Sequence, residues 1–169
     1  MSRSPTKMNA PTAYHQLGKF IVDFQRLEDA VNRLLLLMAK TDDAVVQILV
    51  NDLEYGKRLK AADVLFVRFV DLRTNTNAQS VPEFQKLMVE LRKLGERRND
   101  LVHSRYCVWR NVHEQEGLLR TNAKLRSSKS KREVKEEELQ PEAFNGDLQR
   151  LAKAANELEK FRLQIIDWL

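Results

Sequence analysis

From Tyr14 to Ala39 the apolar residues Leu17, Phe20, Ile21, Phe24, Leu27, Val31, Leu34, Leu35 and Met38 recur every three or four positions. That spacing lines them along one face of a long helix, and such a face must be covered by other elements. The pattern repeats downstream. Thr41 with Asp42 and Asp43 begins a short second helix through Val50, where the acids suit the positive end of the helix dipole. A third helix after Tyr55-Gly56 carries Leu59, Ala62, Val64, Leu65, Phe66, Phe69 and Leu72, and RTNTNAQS then reads as a loop. Ser80-Val81-Pro82-Glu83 has the form of a capping box with proline in the first turn. Helix four follows through Phe84, Leu87, Met88, Leu91, Leu94, Leu101 and Val102 to about Arg105. A last helix from Pro141 or Glu142 to the end aligns Leu148, Leu151, Ala155, Leu158, Phe161, Ile165 and Trp168.

Between the last two helices the period is lost. Tyr106, Val108 and Asn111-Val112 lead into HEQEG and then LLRTNAKL, which predicts a short β-hairpin. SSKSKREVKEEE is so highly charged that it is expected to be mobile. The fold class implied is all-α: a bundle of four to five helices with one hairpin excursion. The expected organisation is a frayed polar tail over residues 1–13 and a single domain over 14–169, with the hairpin and charged loop at 106–140.

Bulk composition agrees. The 169 residues are 43% hydrophobic and 31% charged with only 5 Gly and 4 Pro, which favours helices and suffices for one core. A single cysteine, Cys107, precludes an internal disulfide and fits a reducing compartment, so a cytoplasmic protein is expected. The longest apolar run, Leu34 to Ala39, is too short to cross a bilayer, so no membrane is expected. The net charge of +5 is compatible with a polyanionic partner without demanding one.

Helix four ends in ERRNDLVHSRY. Positions 87, 91, 94, 98 and 101 form one stripe, so Arg98 stands where an apolar residue should continue the core-facing side. Gly95, Asn99, His103 and Tyr106 form a second stripe. A glycine inside a helix costs about 1 kcal/mol relative to alanine, and here it would let another backbone come close. One side of the helix is thus assigned to its own bundle and the other to a second chain, with Lys93, Arg97 and Asp100 left for solvent.

Arg98-Asn99-Asp100-Leu101-Val102-His103 resembles the R-x4-6-H signature of the HEPN superfamily in its R-N-x-x-x-H form. The layout is similar too: an early amphipathic helix with an internal acid, Glu28, the motif near the end of a later helix, and a closing helix. The resemblance implies a metal-independent endoribonuclease, without cofactor, that acts as a homodimer through the motif helix. It assigns proton transfer to His103, stabilisation of the pentacoordinate phosphate to Arg98 and positioning to Asn99. Arg97, Arg105, Tyr106 and Glu28 are the surrounding candidates for substrate contact. RNA carries a 2′-OH able to attack its own phosphodiester, a neutral-pH imidazole can move that proton, and a planar, permanently charged guanidinium suits the phosphate. The role implied is conditional RNA cleavage, as in a toxin with an antitoxin partner or a phage-defence effector. Arg98 and His103 lie five residues apart, about 140° around an ideal helix, so they converge only if the arginine reaches sideways or two chains are offset, which supports a site shared between two chains.

One branch of the superfamily carries R-x4-H-x-Y with a modifiable tyrosine. Here His103-Ser104-Arg105-Tyr106 is one residue too long, so Tyr106 reads as a core or hairpin tyrosine. Two rival readings stay open: a non-catalytic HEPN module that binds nucleotide or RNA or serves as a dimerisation partner, and a helical interaction protein whose motif end is a capped, salt-bridged helix terminus. Glu28 is expected to pair with a core-facing arginine or to serve the Arg98 site. Cys107 is expected as a small buried hydrophobe, and His15 and His113 as surface residues. Arg105 to Lys135 holds nine Lys/Arg against three Glu, which fits either a solvated loop or a phosphate-tracking one.

Overall fold

A computed structural model of the chain describes residues 12–126 and 131–169. Among these, five α-helices surround one core: α1 (Ala13–Ala39), α2 (Asp43–Asn51), α3 (Tyr55–Asp71), α4 (Ser80–Val102) and α5 (Asn145–Asp167). Between α4 and α5 lie three strands, β1 (Arg105–Arg110), β2 (Glu116–Arg126) and β3 (Lys131–Leu139), and a 3-10 turn at Pro141–Phe144 leads into α5. Among the described residues no helix is long and apolar enough to cross a membrane. The expected tail over residues 1–13 lies mostly outside the described residues.

The helices form for the reasons their spacing predicts. Phe20, Phe24, Leu27, Val31, Leu34, Leu35 and Met38 of α1 are buried, on the face that packs against α3 and α5. Thr12 caps α1 by accepting the His15 amide, and the Asp42 carboxylate accepts the amides of Ala44 and Val45 at the start of α2. Helices α3, α4 and α5 are joined by an aromatic cluster. Phe66 stacks on Phe84 with centroids 4.1 Å apart, and Phe161 presents its edge to both, at 5.5 and 5.0 Å. Each such ring removed from water contributes about 2–3 kcal/mol, and favourable ring pairs somewhat more.

The start of α4 departs from the capping-box expectation. Ser80 is already helical and buried, and its hydroxyl donates to the Asn77 carbonyl instead of accepting from residue 83. Asn77 supplies the turn instead, its side chain accepting the Gln79 amide at 2.9 Å.

The larger correction concerns the region expected to be a short hairpin and a mobile charged loop. It is a three-stranded antiparallel sheet in the order β1-β2-β3, in which Arg120 of β2 stands opposite Tyr106 of β1 and Glu137 of β3. The stretch SSKSKREVKEEE falls partly outside the described residues, but Lys131–Leu139 is paired strand. The alternation of side chains explains why the composition misleads. On β2, Leu118, Arg120 and Asn122 are buried against the helices, and Leu139 of β3 is buried beside them. The charges that suggest solvent partly point inward and neutralise one another. The same alternation puts Cys107 on the outer side of β1, exposed, where a buried hydrophobe is expected. His15 and His113 are exposed, as anticipated.

Candidate functional site at the end of helix four

The last two turns of α4 carry two adjacent arginines in opposite states. Arg97, expected to face solvent and offered as a substrate contact, is 18% exposed and fully engaged. Its Nη1 and Nη2 donate to the two carboxylate oxygens of Glu137, both at 2.9 Å, and its Nε donates to Asp147 of α5 at 2.8 Å. Burial opposes its charge, but Glu137 and Asp147 outweigh that and hold it protonated beyond its ordinary value. Glu137 is pulled the other way. Burial would raise its carboxyl, yet the Arg97 hydrogen bonds and the nearby Arg120 charge keep it below the usual carboxylate value.

Arg120 completes this cluster from within the sheet. It is wholly buried, with Nε 2.9 Å from Glu137 Oε2 and Nη1 donating to Ser104 Oγ at 3.4 Å. The sheet also supplies donors to the carbonyls that a helix end leaves open. Tyr106 Oη donates to Leu101 O at 2.6 Å, Asn122 Nδ2 reaches Asp100 O at 3.5 Å, and the Ser104 hydroxyl donates to Asp100 O. Tyr106 is thus a half-buried hairpin tyrosine, its hydroxyl held above its ordinary pKa by burial, with Arg120 and Arg97 opposing. Asp100 is likewise half-buried, not solvent-facing.

Arg98 is different. Its guanidinium carbon sits 5.7 Å from the centroid of the buried Phe24 ring, and Nη1 donates to Asn99 Oδ1 at 3.0 Å. Its Nε is buried and has no hydrogen-bond acceptor among the described residues. Arg98 and Asn99 wall a groove of about 580 Å³ together with Glu28 of α1, Tyr55 and Arg58 of α3, and Arg92. Glu28 makes no ion pair among the described residues; it lines this groove, where burial of Tyr55 first and the Glu28 charge second raise the Tyr55 hydroxyl above its ordinary pKa. Arg58 is held by Leu53 O at 2.8 Å and Asn32 Oδ1 at 3.2 Å.

Gly95 explains itself here, though not as expected. A Cβ at Gly95 would stand 2.8 Å from Cδ1 and Cε1 of Tyr55, so the close neighbour is a ring of this chain and not a second chain's backbone. Tyr55 in turn meets Phe24 edge-on at 5.1 Å and donates to Leu91 O at 3.3 Å.

His103 lies outside the groove. It ends α4, its amide donating to Asn99 O at 3.0 Å, and its side chain is exposed and without a partner among the described residues. Arg105 is exposed on β1. The fold therefore gathers Glu28, Arg98 and Asn99 and leaves His103, Arg105, Tyr106 and Arg97 elsewhere. Sequence reasoning missed Tyr55, Arg58 and Arg92 as groove residues and Arg120, Glu137 and Asp147 as a cluster. Only Gly95 signalled any of them. Among the described residues no group of three or more His, Cys, Asp or Glu side chains could hold a metal ion. A second groove of about 590 Å³ between α4 and α5, floored by Leu87, Ala154 and Phe161, holds no motif residue.

Compared with known proteins, the chain matches no family model, no curated protein and no solved structure.

Proposed function

We propose that this chain is a HEPN-type, metal-independent endoribonuclease that acts as a homodimer, with conditional RNA cleavage, such as that of a toxin or defence effector, as its role. One observation carries the reading. Of the basic side chains at the end of α4, Arg97 is consumed by Glu137 and Asp147, whereas among the described residues Arg98 has no carboxylate partner and the His103 ring no partner. A merely structural salt-bridged helix end would use them alike.

In the reaction, an imidazole removes the ribose 2′-OH proton, and O2′ attacks the adjacent phosphorus. The Arg98 guanidinium pairs with the non-bridging oxygens as charge accumulates, and Asn99 orients it through the 3.0 Å contact. The P–O5′ bond then breaks, and the leaving oxygen takes a proton from an imidazolium. The products carry a 2′,3′-cyclic phosphate and a 5′-OH. Two proton transfers on opposite sides of the phosphorus are served by two His103 residues, one from each copy.

The test is an oligoribonucleotide incubated with the protein in EDTA. The expected result is cleavage with cyclic phosphate ends, abolished by Arg98→Ala and by His103→Ala, with thermal melting shifted by no more than about 4 °C. A second reading, RNA or nucleotide binding without turnover, is favoured by the position of His103 outside the Arg98 groove. Salt-sensitive binding with no product would decide for it.

A further inference from the structure

The Arg98 groove holds a carboxylate that no cation neutralises among the described residues. Glu28 of α1 lines the groove, half-buried and without an ion pair, whereas Glu137 and Asp147, also half-buried, are each neutralised by arginine. Two groove donors that could meet Glu28 are engaged elsewhere, Tyr55 Oη on Leu91 O and Arg58 on Leu53 O and Asn32 Oδ1. The other acids of the wall, Glu54 and Glu96, are exposed, and Glu54 has Lys57 at 3.8 Å. An ionised carboxylate accepts hydrogen bonds and donates none, so a ligand that suits Glu28 brings donors. Arg98 sets the opposite demand, since its charge lacks a carboxylate partner among the described residues and suits an anion. The volume of about 580 Å³ lies within the range of small-ligand sites, roughly 300–1,000 Å³.

We infer that this groove receives a guanosine 3′-phosphate unit of RNA, with Glu28 accepting the N1–H and N2–H donors of the base and Arg98 holding the phosphate. The Watson–Crick edges of the bases make the selection. Guanine presents two adjacent donors, which match the two oxygens of one carboxylate. Adenine and cytosine set a ring-nitrogen acceptor beside their amino group, and uracil sets its N3–H between two carbonyls. Each of these three brings a lone pair against Glu28. The phosphate carries no such information, because it is the same in every nucleotide. Arg98 therefore sets affinity and Glu28 sets identity. The assignment rests on Arg98 as the phosphate-holding group of the ribonuclease reading, but it requires no turnover.

The full-length chain is titrated calorimetrically, in EDTA, with the 3′-monophosphates of guanosine, adenosine, cytidine and uridine. The guanosine nucleotide is expected to bind about tenfold or more tightly than the other three. Glu28→Gln should remove that preference without weakening the adenosine nucleotide, whereas Arg98→Ala should weaken all four alike. If Glu28→Gln fails to fold, the ligand decides on the wild-type chain. Inosine 3′-monophosphate, which lacks the N2 amino group, should bind more weakly than the guanosine nucleotide, and 1-methylguanosine 3′-monophosphate no better than the adenosine one. Absence of nucleotide binding, four equal affinities, or a guanine preference indifferent to Glu28→Gln or to both altered bases overturns the site. A guanine preference that behaves as expected without RNA cleavage leaves the site standing and removes only the ribonuclease reading. Cleavage without any preference for guanosine does the reverse.

Discussion

Arg97 of α4 and Glu137 of β3 meet in a two-point salt bridge, with both N–O distances at 2.9 Å, and the same carboxylate lies 2.9 Å from the wholly buried Arg120. One acid therefore compensates two guanidiniums and ties the sheet to the helix whose end carries His103. Removing one member of a buried charge cluster is costly because the others keep their desolvation without their partner.

Glu137→Gln is accordingly expected to lower stability by about 3 kcal/mol, read from denaturant midpoints. The effect depends on pH. The folded carboxyl is held below its ordinary value, so its contribution is fully present above the unfolded value of about 4.3 and fades as pH falls through the lower folded value. The stability gap between wild type and Glu137→Gln should shrink in that acid range and stay level from pH 5 to 8. A gap that grows on acidification would refute the assignment.

Gly95→Ala tests the packing of Tyr55. On an open helix this exchange stabilises by about 1 kcal/mol. Here the new methyl would stand 2.8 Å from the ring, and overpacking of this kind costs about 1–3 kcal/mol, so net destabilisation is expected. Tyr55→Leu should remove most of the penalty, giving a non-additive pair in a double-mutant cycle.

Arg97 and Arg98 should separate cleanly in function and stability. Arg97→Ala is expected to destabilise by about 3 kcal/mol, since it leaves Glu137 and Asp147 half-buried without their main partner. Arg98→Ala should shift stability by about 1 kcal/mol or less while abolishing RNA cleavage, and Arg98→Lys should restore little, because a lysine cannot make a planar two-point contact. Equal losses of stability for both would mean that Arg98 is structural.

Tyr106→Phe removes a 2.6 Å hydrogen bond to the Leu101 carbonyl and should cost about 1 kcal/mol. Because its hydroxyl ionises above the ordinary tyrosine value, the folded chain keeps that proton at a pH where the unfolded chain has lost it. Stability should therefore fall as pH rises beyond about 10, less steeply in the variant.

The helices were open to sequence reading because burial every three or four residues is a local property. Phe20, Phe24, Leu27 and Val31 announce their face with no knowledge of what covers it, and all are buried. The sheet was not, because its inward charges look like solvent charges. Glu137 sits among KEEEL, and nothing in that string tells which carboxylate faces Arg120. Cys107 fails for a related reason: in a strand, one step of register exchanges inside for outside.

The sequence by itself determined five helical segments, a single stretch without helical period, and the placement of Arg98 and Asn99 in the last turns of the fourth helix with His103 at its end. Only the tertiary structure decided which of two adjacent arginines is spent. Arg97 finds its partners 40 and 50 residues away, on a strand and a helix that the chain must first bring together. A residue type fixes a charge, but its counterion is fixed by distance in space, and that distance exists only once the sheet has closed over the end of α4.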